Sequence, residues 1–214
     1  MAFFKDWPER KTLTLLFVLF CVEFLFLALE PYDRKDWLLE NVLAVLFIAV
    51  LFFTAKRFPL THLSYILIFF FLALHEVGAH YTYAEVPYET FFKSAFGFSL
   101  NEFMGWQRNH FDRLVHFLYG LLLAYPLREL CLKIIGKKTF WAYFLPVTFI
   151  MASSMVFELF EWGAAEFFGG DLGVAYLGTQ GDVWDAHKDM ALASLGALIS
   201  MVICFISAKK RKKT

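Results

Sequence analysis

Apolar residues in this chain come in long runs rather than in the three-four spacing of an amphipathic soluble helix. Six stretches, about 12–29, 37–55, 60–80, 113–132, 139–162 and 187–208, are mostly apolar. Each approaches the roughly 20 helical residues that cross a bilayer core about 30 Å thick. Charge or turn residues bound them, among them Pro31, Lys56-Arg57-Phe58-Pro59, Gly136-Lys137-Lys138 and the final Lys209 to Lys213. The first run lacks a small-residue cleavage site and is followed by Glu30-Pro31-Tyr32-Asp33, so it reads as a span rather than a secretory leader. Helices satisfy their own backbone groups in lipid, and no strand is needed. The expected fold is all-α, a polytopic transmembrane bundle of about six helices forming a single integral membrane domain over residues 1–214.

Composition strengthens this picture. Apolar residues make up 59% of 214 positions, where a soluble domain carries about 45–50%. The three cysteines, Cys21, Cys131 and Cys204, lie in or beside apolar runs without metal-type spacing, which argues against a disulfide framework. Net charge is zero, but its distribution is uneven. With the N-terminus inside, Lys5, Arg10, Lys11, Lys56, Arg57, Arg128, Lys133, Lys137, Lys138 and the tail from Lys209 to Lys213 face the cytoplasm: 14 of 20 basic residues. The positive-inside rule then places both termini in the cytoplasm, with an even number of spans.

Two outer segments exceed simple turns. Residues 81–112 mix Tyr81, Tyr83, Phe91, Phe92, Phe96 and Trp106 with Glu85, Glu89, Lys93 and Glu102, the composition of a helix or loop lying in the interface. Residues 163–186 hold Gly163, Gly169, Gly170, Gly173, Gly178 and Gly181 and read as an ordered loop.

Drawn this way, the topology gathers ionisable residues at one depth. Span three ends in Leu74-His75-Glu76-Val77-Gly78-Ala79-His80, and span four begins at His110-Phe111-Asp112-Arg113-Leu114-Val115-His116. Span five ends in Phe157-Glu158-Leu159-Phe160-Glu161-Trp162, and span six opens at Asp182, Asp185, His187, Lys188 and Asp189. Glu23 of span one lies near the same level. Residues three, four or seven apart share a helix face, which couples Glu76 with His80, Asp112 with His116, and Glu158 with Glu161. Asp182, Asp185 and Asp189 form a stripe if the helix starts by Asp182. Below them Ala193, Gly196, Ala197 and Ser200 are small enough for close helix contact, so span six is expected at the centre. Ionisable groups inside a membrane face the bundle interior or a water cavity, and a polar pocket open to the outer leaflet follows.

Each group has a plainer explanation. His75 and His80 cap or snorkel, Asp112–His116 is a structural hydrogen bond, Glu161 is an interfacial acid, and the Asp182–Asp189 run is a capped helix start favoured by the dipole. The zinc-protease motif is absent, since His75 and His80 are separated by one residue too many.

The run Gln180-Gly181-Asp182-Val183-Trp184-Asp185-Ala186-His187-Lys188-Asp189-Met190, with His75-Glu76, Asp112-Arg113-Leu114-Val115-His116 and Glu158-Leu159-Phe160-Glu161, resembles the YjdF family of bacterial inner-membrane proteins, a domain of unknown function. More distantly, Asp112 and His116-Phe117, a following Glu, and Asp185 or Asp189 before a small-residue helix look like the VanZ-like pattern, a group associated with resistance to a glycopeptide antibiotic. The resemblance implies a place in the cell envelope and brings no established activity.

Two readings follow. In one the chain is a metal-dependent enzyme on a lipid or lipid-linked envelope precursor. His75, His80 and His116 then hold a divalent metal such as Zn²⁺, and Asp112, Glu76, Glu158, Asp185 and Asp189 serve as catalytic acids and bases. In the other the same groups relay protons or a cation in a transporter, with a structural envelope-stress protein as a third option. The inner halves of the spans are poor in polar groups apart from Tyr119, Tyr125 and Ser153-Ser154, which favours the enzyme. Expected partners are membrane lipids and a lipid-linked small molecule, without nucleic acid. The pattern leaves the oligomeric state open.

Overall fold

The computed structural model describes residues 10–136 and 139–210. Lys5, Lys137, Lys138 and the tail from Arg211 to Lys213, part of the topology argument, lie outside the described residues. Every regular element among the described residues is a helix: α1 (Arg10–Leu27), α2 (Arg34–Thr54), α3 (His62–His80), α4 (Tyr88–Phe96), α5 (Leu100–Met104), α6 (Phe111–Ile135), α7 (Trp141–Phe168), α8 (Gly170–Leu177) and α9 (Asp185–Lys210). Four of them, α2, α3, α7 and α9, are long and apolar enough to cross a membrane. The other two long helices carry more charge along their length than a span of this kind: α1 has Arg10, Lys11 and Glu23 within 18 residues, and α6 has Asp112, Arg113, Arg128, Glu129 and Lys133.

The centre of the bundle is the pair α6–α9, with the most extensive contact of all; α3 and α7 flank α6, α7 also packs on α9, and α1 lies outside on α3. Small residues make the central contact. Ala193 and Ala197 are fully buried and Ser200 nearly so, as the small-residue stripe on span six predicts. A Cβ on Gly120 of α6 would meet the Ala193 carbonyl oxygen at 1.9 Å, and one on Gly196 of α9 would meet the Phe117 carbonyl oxygen at 2.2 Å. Without side chains at these two positions the backbones touch, the packing by which membrane helices associate. Outward-facing surfaces are large and apolar, with Phe26, Phe53, Phe149, Trp162 and Phe205 all more than half exposed.

The helices alternate in direction. Leu27 at the end of α1 meets His80 at the end of α3, and Arg113 at the start of α6 meets Asp185 at the start of α9. The opposite end is tied by Glu129 of α6, which accepts from the Thr61 backbone N–H and hydroxyl and from the Ser64 hydroxyl at the start of α3. One end of the bundle therefore collects the C-termini of α1, α3 and α7 and the N-termini of α2, α6 and α9.

Two sequence expectations change. The glycine-containing segment after 162 is largely helical. α7 continues through Gly163 to Phe168, because Ala164, Ala165 and Glu166 outweigh the cost of one glycine, about 1 kcal/mol. The break falls at Gly169 and Gly170, whose φ of 61° and 54° suits glycine, and α8 follows. At 28 residues, α7 is about 42 Å long and outruns a core of about 30 Å. The stripe on span six starts late: α9 begins at Asp185, leaving Asp182 in the preceding turn. Residues 81–110 include the short helices α4 and α5; these and the link between them expose Phe91, Phe96, Phe98 and Phe103.

Candidate functional site

The alternation of helix direction brings the acids and histidines of five helices to one end. There, α6 presents Asp112 and His116 one turn apart, with His116 Nε2 3.5 Å from Asp112 Oδ1. From α7, Glu158 Oε1 approaches the same imidazole nitrogen at 3.8 Å. From α9 comes Asp189, 2% exposed, its Oδ1 without a hydrogen-bond partner. One donor atom each from Asp112, His116 and Asp189 lies within 4.8 Å of the others, a spacing that suits a metal ion. The Gly120–Ala193 contact, one turn below His116 and Asp189, fixes this spacing. The edge of the Phe157 ring rests against His116 at 5.7 Å between centroids, so an apolar wall backs the imidazole.

Asp112 and His116 of this cluster line the head of a cleft of about 810 Å³ between α2, α3, α6 and α7, capped by α8. The polar end is lined by Glu40, His75, Tyr83, Asp112, His116 and Glu161, and the remaining wall is nearly all apolar, from Leu43 and Phe47 down to Leu130 and Ile134. From Glu40 to Thr54 the cleft follows α2 for about 21 Å. Partway down, the hydroxyls of Tyr119 and Ser153 meet at 2.6 Å and satisfy each other.

Asp185 is held apart from the donor set. It accepts from Arg108, and from Arg113 at 3.2 Å. Arg113 also binds Asp182, which takes a second bond from Lys188 Nζ at 2.6 Å. Arg108 further donates to the Thr179 carbonyl. The motif from Gln180 to Asp189 is thereby clamped onto the start of α6. The hydrogen bond from Lys188, the Trp184 backbone N–H and Arg113 hold the Asp182 carboxyl far below the usual carboxylate range. Burial, with Arg113 and Arg108 nearby, lowers His110, which stacks on Trp106 at 4.3 Å.

His75 and His80 part company. His80 Nδ1 bonds the Leu27 carbonyl at 2.7 Å and ties α1 to α3. His75 faces the cleft, its Nδ1 2.5 Å from the Tyr83 hydroxyl, and its ring also hydrogen-bonds the Glu40 backbone on α2. Thr82 and Tyr83 adopt φ of 51° and 52°, folding the chain back so that the Tyr83 N–H reaches the Gly78 carbonyl at 2.8 Å. Burial, then the carboxylates of Glu40, Asp112, Glu161 and Glu76, keep the Tyr83 hydroxyl protonated. Glu76 is fully buried and neither carboxylate oxygen has a partner.

Sequence reasoning passed over α2. Asp36 (1% exposed), Glu40 and Asn41 are buried there, and Glu40 joins the polar end of the cleft. Asp36 and Glu40 are four residues apart, the signal that identifies their shared face. It was masked because acids near a helix start are ordinary dipole partners.

The comparisons with known proteins agree with this architecture. Residues 12–210 match the family described as "Predicted membrane protein (DUF2238)". The chain is 37% identical over 194 residues to the inner membrane protein YjdF of Escherichia coli (strain K12), covering 89% of this chain and 84% of that protein. No solved structure matches it. With the family pattern running from the first helix to the last and four helices able to span a bilayer, this chain belongs to the DUF2238 family of membrane proteins and is of the YjdF type.

Proposed function

We propose that the chain is a divalent-metal-dependent enzyme of the bacterial inner membrane, acting on a lipid or lipid-linked small molecule from the outer leaflet. The observation that carries this reading is the convergence of Asp112, His116 and Asp189 donors within 4.8 Å at the polar head of a long apolar cleft. Two carboxylates and an imidazole suit Zn²⁺ or Mn²⁺. Were zinc held by these three residues, a position would remain for water, and the ion would supply a water whose pKa is lowered to about 7. Glu158, half-buried with Oε1 3.8 Å from His116 Nε2, would take the proton. The reaction class is metal-assisted hydrolysis or transfer at a head group, with the chain of the substrate lying in the cleft. The transporter reading has less support, because the inner part of the cleft offers few polar groups beyond the self-satisfied Tyr119–Ser153 pair.

Metal analysis of the purified full-length protein tests this. Wild type should hold about one zinc per chain at this site. Asp112→Asn and His116→Ala should lose it, together with any envelope phenotype, while keeping their melting temperatures. Retention of the metal in both variants, or loss of stability with metal and phenotype intact, would sink the enzyme reading and leave a structural pair.

A further inference from the structure

The polar end of the cleft has hydrogen-bond acceptors to spare and no fixed positive charge of its own. Glu40, Asp112 and Glu161 line it, and among the described residues no lysine or arginine does. Arg108, Arg113 and Lys188, at the same end of the bundle, are engaged outside the cleft by Asp182 and Asp185.

Glu40 is the telling residue. It is 5% exposed, it lines the cleft, and its Oε2 has no hydrogen-bond partner. The charged groups acting on it are the carboxyls of Asp36, Asp112 and Glu76, all acidic. A buried carboxylate without a donor is costly, and it ends up paired, metal-bound or protonated. Elsewhere the chain supplies the donor itself, as where Thr61 and Ser64 bond Glu129. Glu161 hydrogen-bonds Glu158, which two carboxyls do by sharing a proton, so that pair offers Glu40 no donor either. The missing donor has to come from a ligand.

The surroundings narrow its chemistry. Tyr83 and Tyr176 line the same end, and the charges of both Glu40 and Glu161 act on each of them. Phe157 and Phe160 line the cleft from α7. Aromatic rings beside a carboxylate suit an ammonium group, whose N–H bonds to a carboxylate are charge-assisted and whose charge is attracted to ring faces. The same acids repel a carboxylate or phosphate. Below Glu40 the wall is apolar for about 21 Å along α2, room for a chain.

We propose that, given a lipid in the cleft as under the proposed function, its head group carries a primary amine. The ammonium donates to Glu40 in the company of Tyr83 and Tyr176, and one chain lies along α2. Recognition of the amine belongs to Glu40 and is separate from the Asp112–His116–Asp189 donor set.

The test is native mass spectrometry of the full-length protein in detergent, with its metal content measured alongside. The probes are four single-chain amphiphiles that share one saturated chain and end in a primary amine, a trimethylammonium, an alcohol or a carboxylate. Ethanolamine supplies the amine without the chain. The primary amine should bind about tenfold or more tightly than the alcohol and the carboxylate. It should also outbind the trimethylammonium, which keeps the charge and lacks N–H donors, and ethanolamine should not bind. Glu40→Gln should bind amine and alcohol alike, with melting temperature and metal content unchanged; the head-group comparison in wild type stands without any variant. Equal affinity for all four head groups, tightest binding of any but the primary amine, or an amine preference intact in Glu40→Gln overturns amine recognition. A retained metal then leaves the proposed function standing. Ethanolamine binding as tightly as the long-chain amine removes the lipid, and failure of every amphiphile to bind removes both the amine and the lipid substrate. An amine preference in protein that holds no metal supports Glu40 as the amine site and removes the metal-dependent enzyme.

Discussion

Replacing Gly120 with alanine tests whether the α6–α9 contact sets the spacing of the proposed metal donors. The added Cβ would stand 1.9 Å from the Ala193 carbonyl oxygen and 2.8 Å from the Ala197 nitrogen. Both are backbone atoms, so no rotamer change relieves the clash. Ordinary contact begins at 3.4 Å, so the helices must separate by about 1.5 Å in a tightly packed interior. Overpacking of this kind costs about 1–3 kcal/mol, enough for a measurable fall in melting temperature without unfolding. His116 lies one turn from Gly120, and Asp189 one turn from Ala193, so the displacement reaches the donor set nearly undiminished. Metal–ligand distances hold to within about 0.2 Å. Gly120→Ala should therefore weaken zinc binding by tenfold or more, equivalent to about 1.4 kcal/mol, while helix content is retained. Zinc affinity is read by competition with a chromophoric chelator in detergent. Wild-type affinity in a folded Gly120→Ala protein would refute the link between helix packing and site geometry.

Three further outcomes are expected. Asp182 has a folded pKa below its unfolded one, so its contribution is complete above about pH 4 and is lost only as pH falls through the depressed value. Hydrogen exchange in residues 179–184, corrected for intrinsic rate, should stay protected from pH 7 to 4, and Asp182→Asn should expose the segment throughout; loss of protection by pH 5 in wild type contradicts the clamp. Glu129→Gln removes a charged acceptor shared by Thr61 and Ser64 and should cost about 1.5–3 kcal/mol, seen as a lower melting temperature with metal content unchanged. A reporter fused after Thr214 should be active only in the cytoplasm and one inserted near Gly170 only outside; a cytoplasmic signal at Gly170 would put the polar end on the inner face.

What the sequence made legible follows from the solvent. Lipid-facing helices must be apolar along their whole length, so the helices α2, α3, α7 and α9 appear as runs without finer analysis. The small residues after Asp189 likewise announced a central α9, since only a tight backbone contact needs them. Their counterpart, Gly120, was not legible as a partner, because one glycine in an apolar run carries no record of which helix it meets. Asp112 and His116 could be paired from their spacing, and Asp189 could be placed at their depth. That Asp185 turns away to Arg108 depends on a contact 77 residues apart in the chain, which no local pattern encodes. The division between His75 and His80 has the same origin. Both sit at the end of α3, and what separates them is the tight turn at Thr82–Tyr83 on one side and the end of α1 on the other.

Helix α2 forms one wall of the cleft, and among the described residues its main contacts are with α3 and, at its polar end, α8, with Trp37 also resting on Phe24 of α1. The opposite wall belongs to α6 and α7, both locked to α9. In mechanical terms the bundle is a rigid frame with one hinged panel. The least costly deformation swings α2 about its seam with α3 and widens the cleft along its side, towards the acyl chains of the bilayer. That movement leaves the Gly120–Ala193 joint, and with it the Asp112–His116–Asp189 spacing, undisturbed. Under the proposed function, loading from the membrane and holding an ion would fall to different seams of the same fold.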